Sequence, residues 1–238
     1  MIAPARVGGL EEVVQGLAIG TQARGHDVVI LATVAAMDTP LDSLAPVRDT
    51  PVELVPLVPR PRRYDDEYRA ILQGARQRGV ELVHTHGYRS DVVGGMVARG
   101  LGLPCVSTVH GFTCGGLRNR FYEWVQVRAL RRVSAAVAVS DRIAERLRAG
   151  GVPGDRVEVI PNGRTETTPV PRAQAREALG LPANGTRLGW VGRLGREKGV
   201  DVLVAALGLL RDADWSLSIV GDGPERPRLQ RAARELGI

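Results

Sequence analysis

Short, unbroken apolar runs alternate with amphipathic stretches along most of this chain, and that alternation constrains its fold more than any other feature. "VVILAT" (28–33), "VELVPL" (52–57), "VELVHTH" (80–86), "PCVSTVH" (104–110), "AAVAVS" (135–140) and "VEVI" (157–160) read as buried strands. Between them, Leu10–Arg24, Tyr64–Arg78, Ser90–Leu101, Leu117–Arg132 and Asp141–Ala149 carry helical periodicity with polar outer faces. Repeated βα units with continuous hydrophobic strands imply an α/β fold around a parallel, doubly wound sheet covered on both sides.

The texture changes near 161–185, where "PNG", "TETTPVP" and "LPANG" surround one short helical piece, Arg172–Leu179. Turn residues at that density mark a hinge. A second alternation follows: strand Arg187–Val191, helix Val200–Leu210, strand Ser216–Val220 and helix Glu225–Leu236, with Val200, Leu203, Val204, Leu207 and Leu210 expected on one helical face. The expected organisation is a Rossmann-like domain over 1–165, a linker over 166–185 and part of a second Rossmann-like domain over 186–238. Only "MIAPARV" precedes Gly8 and Gly9, so the first strand is expected to be absent or a stub. Two strands and a small core in the second part predict that 186–238 is more mobile than 28–160.

With 44% hydrophobic and 24% charged residues over 238 positions, the chain has the balance of a soluble globular protein, and 4% aromatics make the core aliphatic. The formal charge of +6 favours anionic partners. From Arg118 to Arg148 there are eight arginines against Glu123, Asp141 and Glu145. That segment reads either as solvated helices or as a face for an anionic membrane. Nucleic acid is not indicated, because Phe121, Tyr122 and Trp124 cluster on one turn rather than interleaving with the cations. Cys105 and Cys114 form neither a CxxC nor a metal-spaced set, which fits a reducing cytoplasm, and no leader or membrane-spanning run is present in the sequence as read.

In open α/β sheets, ligands lie at the carboxyl ends of strands, where glycine turns and helix N-termini face an anion. "VGGLEE" (7–12), "HTHG" (84–87), "TVHG" (108–111), "GRLGREKG" (192–199) and "GDGPE" (221–225) fall at such turns. Lys198 is the one lysine beside 31 arginines. With Arg193 it flanks a turn running into a helix, where two cations and a helix terminus could hold about two negative charges without a metal. His110 reads, by position alone, as a structural residue, as does His26. His84 and His86 are expected on opposite faces of their strand, which argues against a shared metal. The carboxylates of "DAD" (212–214) precede their strand and so belong to the edge away from the ligand crevice.

These motifs in this order resemble family 4 of the retaining glycosyltransferases, which have the GT-B fold of two facing Rossmann-like domains. The matching stretches are "GGLEE" (8–12), "GHDVVILAT" (25–33), "VHTHG" (83–87), "STVHG" (107–111), "AVAVSDRIAERL" (136–147), "VEVIPNG" (157–163), "VGRLGREKGVDVLVAAL" (191–207) and "IVGDGPERPRL" (219–229). The resemblance implies transfer of a sugar from a nucleotide-diphosphate sugar to an acceptor hydroxyl on a glycan or lipid-linked molecule. Configuration would be retained, with no metal and no cofactor beyond the co-substrate. It implies that Arg193 and Lys198 bind the donor diphosphate and that Gly8 and Gly9 bring backbone N–H groups to it. His110 would lie beside the donor sugar, and Gly221, Asp222 and Gly223 would pass close to the nucleotide. The expected setting is cytoplasmic, with peripheral contact at the inner face of the membrane only on the second of the two readings of Arg118–Arg148.

The chain departs from that pattern in two places. Arg164 and Thr165 follow "PNG", where the family carries a small or apolar residue and an Asp. The family's later glutamate pair, spaced eight apart, would fall beyond Ile238. The expectation is therefore a chain shortened at both ends, and the alternative to an enzyme is a non-catalytic fragment that needs further residues or a partner chain. A nicotinamide-dependent oxidoreductase is disfavoured because no GxGxxG follows a first strand.

Overall fold

Each of the apolar runs contains a strand in the computed structural model, which describes residues 1–4, 9–60, 63–112, 116–163, 168–210 and 213–238. The chain divides into two units, Met1–Glu166 and Thr167–Ile238. In chain order the first unit comprises α1 (Gly9–Gln22), β1 (Val29–Thr33), β2 (Glu53–Leu57), α2 (Tyr64–Gln77), β3 (Val83–His86), α3 (Tyr88–Leu101), β4 (Cys105–Val109), α4 (Leu117–Leu130), β5 (Ala135–Ala138), α5 (Asp141–Ala149) and β6 (Val157–Val159).

All its strand pairs are parallel: β1 with β2, and β3, β4, β5 and β6 in that order. The amino-terminal stub joins the two groups. Ile2 bridges Ala32 on one side and His86 on the other; its N–H donates to the Leu31 carbonyl at 3.0 Å, and the His86 N–H donates to the Met1 carbonyl at 3.0 Å. Ile2 is fully buried, so two residues hold the place of a central strand.

One apolar layer lies on β3 to β6, where Val83, Val109, Ala136, Ala138, Leu130 and Leu147 pack together. A second gathers Ile2, Val14, Ile30, Ala32, Leu44 and Val47. Leu44 and Val47 come from a 3₁₀ turn, Asp42–Val47, which the sequence pattern did not reveal. Helix ends follow local chemistry. Asp65, Asp66 and Glu67 occupy the first turn of α2, and Asp141 opens α5, which closes on Arg146 and Arg148, all complementing the helix dipole.

The second unit comprises α6 (Arg172–Ala178), β7 (Thr186–Val191), α7 (Val200–Gly208), β8 (Trp215–Val220) and α8 (Arg226–Glu235). β7 and β8 pair in parallel over their full length, from Thr186 opposite Trp215 to Val191 opposite Val220. The helix α6 is tied to the strand that follows by the buried Arg176, whose guanidinium donates to the Pro182 and Gly185 carbonyls, each at 2.9 Å. Leu194, Val200, Val204 and Leu229 form a small core. Val191, Val202, Leu209 and Val220 are exposed. Leu210 also leaves the expected helical face, because α7 ends at Gly208 and the Leu210 carbonyl turns to accept the Trp215 indole N–H at 2.6 Å.

Candidate functional site

The residues singled out in the sequence fall into two groups, one in each unit. In the first, β3 and β4 run side by side with His84 opposite Val106, Thr85 opposite Ser107 and His86 opposite Thr108. Alternate residues of a strand project to opposite sides, so residues two apart share a side. Thr85 and Ser107 turn to the α3 side and donate to one oxygen of Asp91, at 2.6 and 2.7 Å, while Gln126 of α4 donates to the other at 2.7 Å. This buried network clamps α3 and α4 onto the strands.

His84 and His86 therefore share the other face, contrary to the expectation of opposite faces. Their ring centroids are 4.3 Å apart. His84 Nε2 lies 2.8 Å from Thr108 Oγ1, and His86 Nδ1 lies 3.1 Å from His110 Nε2. One proton serves the His86–His110 contact, so the tautomer of each ring fixes that of the other. Desolvation lowers the pKa of His84 to about 4 and of His86 to about 2. His110 is also lowered by burial, against an upward pull from the Glu11 carboxylate. All three are thus neutral near pH 7, and His110 is suited to offering or accepting a hydrogen bond rather than a charge. Among the described residues no three His, Cys, Asp or Glu side chains are arranged to hold a metal ion. Glu11 sits in the first turn of α1, which begins at Gly9. A Cβ at Gly9 or Gly111 would meet no atom within 4 Å, so packing does not demand glycine at either place. Gly8 lies outside the described residues, as do Cys114, Arg164, Thr165 and Asp212; Asp214 immediately precedes β8, at the amino end of the strand.

In the second unit, the loops after β7 and β8 continue the pairing of their strands. The Gly192 N–H donates to Val220, the Leu194 N–H to Asp222 and the Glu225 N–H to Leu194, at 3.0, 2.9 and 3.1 Å. So close an approach requires glycine: a Cβ on Gly221 would sit 1.9 Å from the Gly192 oxygen, and one on Gly223 would sit 2.4 Å from the Leu194 oxygen. Both glycines also have φ in the left-handed half of the map, +147° and +158°. The packed pair of loops carries Arg193, Lys198 and Asp222 outward. Arg193 is 67% exposed by its side chain and paired with Glu197, which the sequence reading passed over although its i,i+4 spacing from Arg193 was visible. Glu197 has its pKa lowered by a backbone hydrogen bond and by Arg193, with Lys198 adding to the effect. Lys198 is exposed, in a 3₁₀ turn, Arg196–Lys198, that leads through Gly199 into α7. Asp222 accepts the Gly223 N–H at 2.9 Å.

Family models match both units: one described as Glycosyltransferase Family 4 over residues 7–165, the other as Glycosyl transferases group 1 over 185–238. The chain belongs to glycosyltransferase family 4. Among curated relatives of this family-4 chain, the 2-deoxystreptamine N-acetyl-D-glucosaminyltransferase of Streptomyces fradiae is 30% identical over 66% of the chain and 42% of its own length. The D-inositol 3-phosphate glycosyltransferase of Acidothermus cellulolyticus is 30% identical over 97% of the chain and 59% of its own length. The chain thus spans about half the length of these relatives. Among solved structures, Anabaena HepE in complex with UDP-glucose matches with a TM-score of 0.78 at 20% identity, covering 99% of this chain and 65% of that one. Sucrose-phosphate synthase from Thermosynechococcus elongatus matches with a TM-score of 0.80 at 21% identity, over 97% and 63%. The parallel α/β units are those of the GT-B fold.

Proposed function

We propose that the chain transfers a sugar from a nucleotide-diphosphate sugar to an acceptor hydroxyl, with retention and without a metal. The observation that carries this reading is the turn after β7, where Arg193 and Lys198 stand outward on a loop locked by Gly221 and Gly223 and lead into α7. When the anomeric C–O bond breaks, its electron pair passes to the β-phosphate oxygen. A new C–O bond forms to the acceptor oxygen on the same face, and the acceptor proton ends on the diphosphate. Two cations and a helix start stabilise the charge that collects there, the largest contribution in most such reactions. The compact Lys198 ammonium suits a point contact on a phosphate oxygen, whereas Arg193 can offer two parallel N–H groups. His110, held neutral, would hydrogen-bond a hydroxyl of the donor sugar, with Gly9 leaving room for the donor phosphates. Anabaena HepE holds UDP-glucose, which supports a nucleotide sugar as partner.

The acceptor in this reading is a glycan or a lipid-linked molecule, and the setting is the cytoplasm, in line with the free, buried Cys105. No helix among the described residues is long and apolar enough to cross a membrane. Isothermal titration with UDP- and other nucleotide-sugars tests the site. Lys198→Ala and Arg193→Ala should each weaken donor binding about 10- to 100-fold, the worth of a hydrogen bond to a charged group; unchanged affinity in both would refute the assigned roles. The exposed Val191, Val202, Leu209 and Val220 favour a second reading, a non-catalytic half that binds the donor but needs a partner chain for turnover. Donor binding without turnover by the purified chain would select it.

A further inference from the structure

Helix α4 presents to solvent a face for which the fold has no use. At 3.6 residues per turn, Leu117, Arg120, Phe121, Trp124, Arg128 and Arg131 fall within an arc of about 100°. All six are exposed, while Gln126 and Leu130 on the far side are buried. The apolar members are large and open: Leu117 is 84% exposed, Phe121 59% and Trp124 58%. Phe121 and Trp124 stack with ring centroids 6.1 Å apart, and the Arg128 guanidinium lies 5.8 Å from the Trp124 ring centre. Beside this stripe a groove of about 640 Å³ separates α4 from α5, lined in part by Arg120, Trp124, Arg131 and Arg146. Its one carboxylate, Glu123, is already paired with Arg146 at 2.6 Å.

Three large apolar side chains in the open would ordinarily mark a protein interface, yet the core of such an interface is depleted of charge. Here arginines interleave with the apolar groups along the same stripe. That mixture suits one surface in particular, the boundary of an anionic bilayer. There, aromatic rings rest at headgroup depth, and guanidinium groups reach lipid phosphates while their stems stay against the acyl chains.

We propose that this face of α4, with the arginine-lined groove beside it, docks the chain on an anionic phospholipid surface, bringing it to a membrane-held acceptor. The purpose rests on the transferase reading; the docking itself does not. Co-sedimentation of the full chain with phosphatidylcholine vesicles, and with vesicles that also contain phosphatidylglycerol, tests it in the absence of any nucleotide. The chain should pellet with the anionic vesicles and stay in solution with the neutral ones. Each of Arg120→Gln and Arg128→Gln should lower partitioning about fivefold, as expected for one charge near an anionic surface. The double variant Phe121→Ser, Trp124→Ser should abolish it while leaving the circular dichroism spectrum and nucleotide-sugar binding unchanged. Equal binding to neutral vesicles, or undiminished binding by the folded double variant, overturns the proposal. So does failure to pellet, joined to a dimer that the double variant dissolves, which would assign the face to a second copy of the chain. Loss of vesicle binding with donor binding intact leaves the transferase reading standing, and the converse leaves the docking surface standing.

Discussion

Replacing Gly223 with alanine separates packing from ligand approach as the reason for the "GDG" loop. A Cβ there would lie 2.4 Å from the Leu194 oxygen, 2.7 Å from its carbon and 2.8 Å from its nitrogen. Ordinary contact begins near 3.4 Å, so the loop must retreat by about 1 Å from the turn it rests on. The neighbour is backbone and cannot rotate away. Retreat stretches the Leu194 N–H bond to Asp222 and the Glu225 N–H bond to Leu194, now 2.9 and 3.1 Å, at about 1 kcal/mol each. Alanine at a φ of +158° adds about 1 to 3 kcal/mol of backbone strain. The sum, about 3 to 5 kcal/mol, is large against a unit whose buried apolar core consists chiefly of Leu194, Val200, Val204 and Leu229. Hydrogen exchange should therefore find 186–238 less protected than 28–160 in the parent chain. In Gly223→Ala, amide protection across β7 and β8 should collapse while β3 to β6 keep theirs. If protection of β7 and β8 is unchanged and only donor affinity falls, the glycine serves the nucleotide and the packing argument is wrong.

Asp91→Ala removes the shared acceptor of Thr85, Ser107 and Gln126, leaving Ser107 and Gln126 without it and Thr85 with only the Val106 carbonyl, at 3.4 Å. The first unit should lose about 3 to 6 kcal/mol in urea unfolding, and a loss under about 1 kcal/mol would show the network to be dispensable. The histidine face predicts a pH dependence of the same unit. His84 and His86 have folded pKa values of about 4 and about 2, below their ordinary 6.5, so the unfolded chain binds more protons and stability rises with pH up to about 6.5. Asp91, raised by burial, works in the opposite sense from the ordinary carboxylate range upward. Between about pH 6.5 and about pH 4.5 the urea midpoint of the parent chain should fall relative to that of His84→Gln, His86→Gln; the same pH profile in both would contradict the burial of these rings.

The strands and helices were legible because a strand buried on both faces writes a continuous apolar run, and because helices between such strands keep polar outer faces. What escaped were the features too short to carry a period or made by distant partners. Two residues at the amino end complete the sheet between β1 and β3, and no pattern can be read from two residues. The turn that buries Leu44 and Val47 spans six residues with a proline inside, too brief for either period. Asp91 looked like an ordinary helix residue; its meaning lies in Thr85, Ser107 and Gln126, which only the fold brings to it. The histidine face was within reach of the sequence, since spacing by two on a strand already puts His84 and His86 on one side. The glycines of "GDG" were legible as a place of close approach, but the sequence did not disclose that the approaching partner is the chain's own Gly192–Leu194 turn.

The charges on that turn bear on the proposed chemistry. Arg193 has a partner in Glu197, but both side chains are largely in solvent, and an exposed ion pair of this kind contributes about 0 to 1 kcal/mol. A diphosphate offers the same guanidinium two adjacent anionic oxygens, with hydrogen bonds worth about 1.5 to 3 kcal/mol each. On the proposed function, exchange of the carboxylate for phosphate would be downhill by about 1 kcal/mol or more, and Glu197 would serve as an exchangeable placeholder that keeps Arg193 on the turn until the donor arrives. Lys198, which forms no ion pair among the described residues, has no such exchange to make. Glu197→Gln should then weaken donor binding less than Arg193→Ala does. A larger loss in the glutamine variant, measured by the same titration, would mean that the carboxylate itself shapes the site.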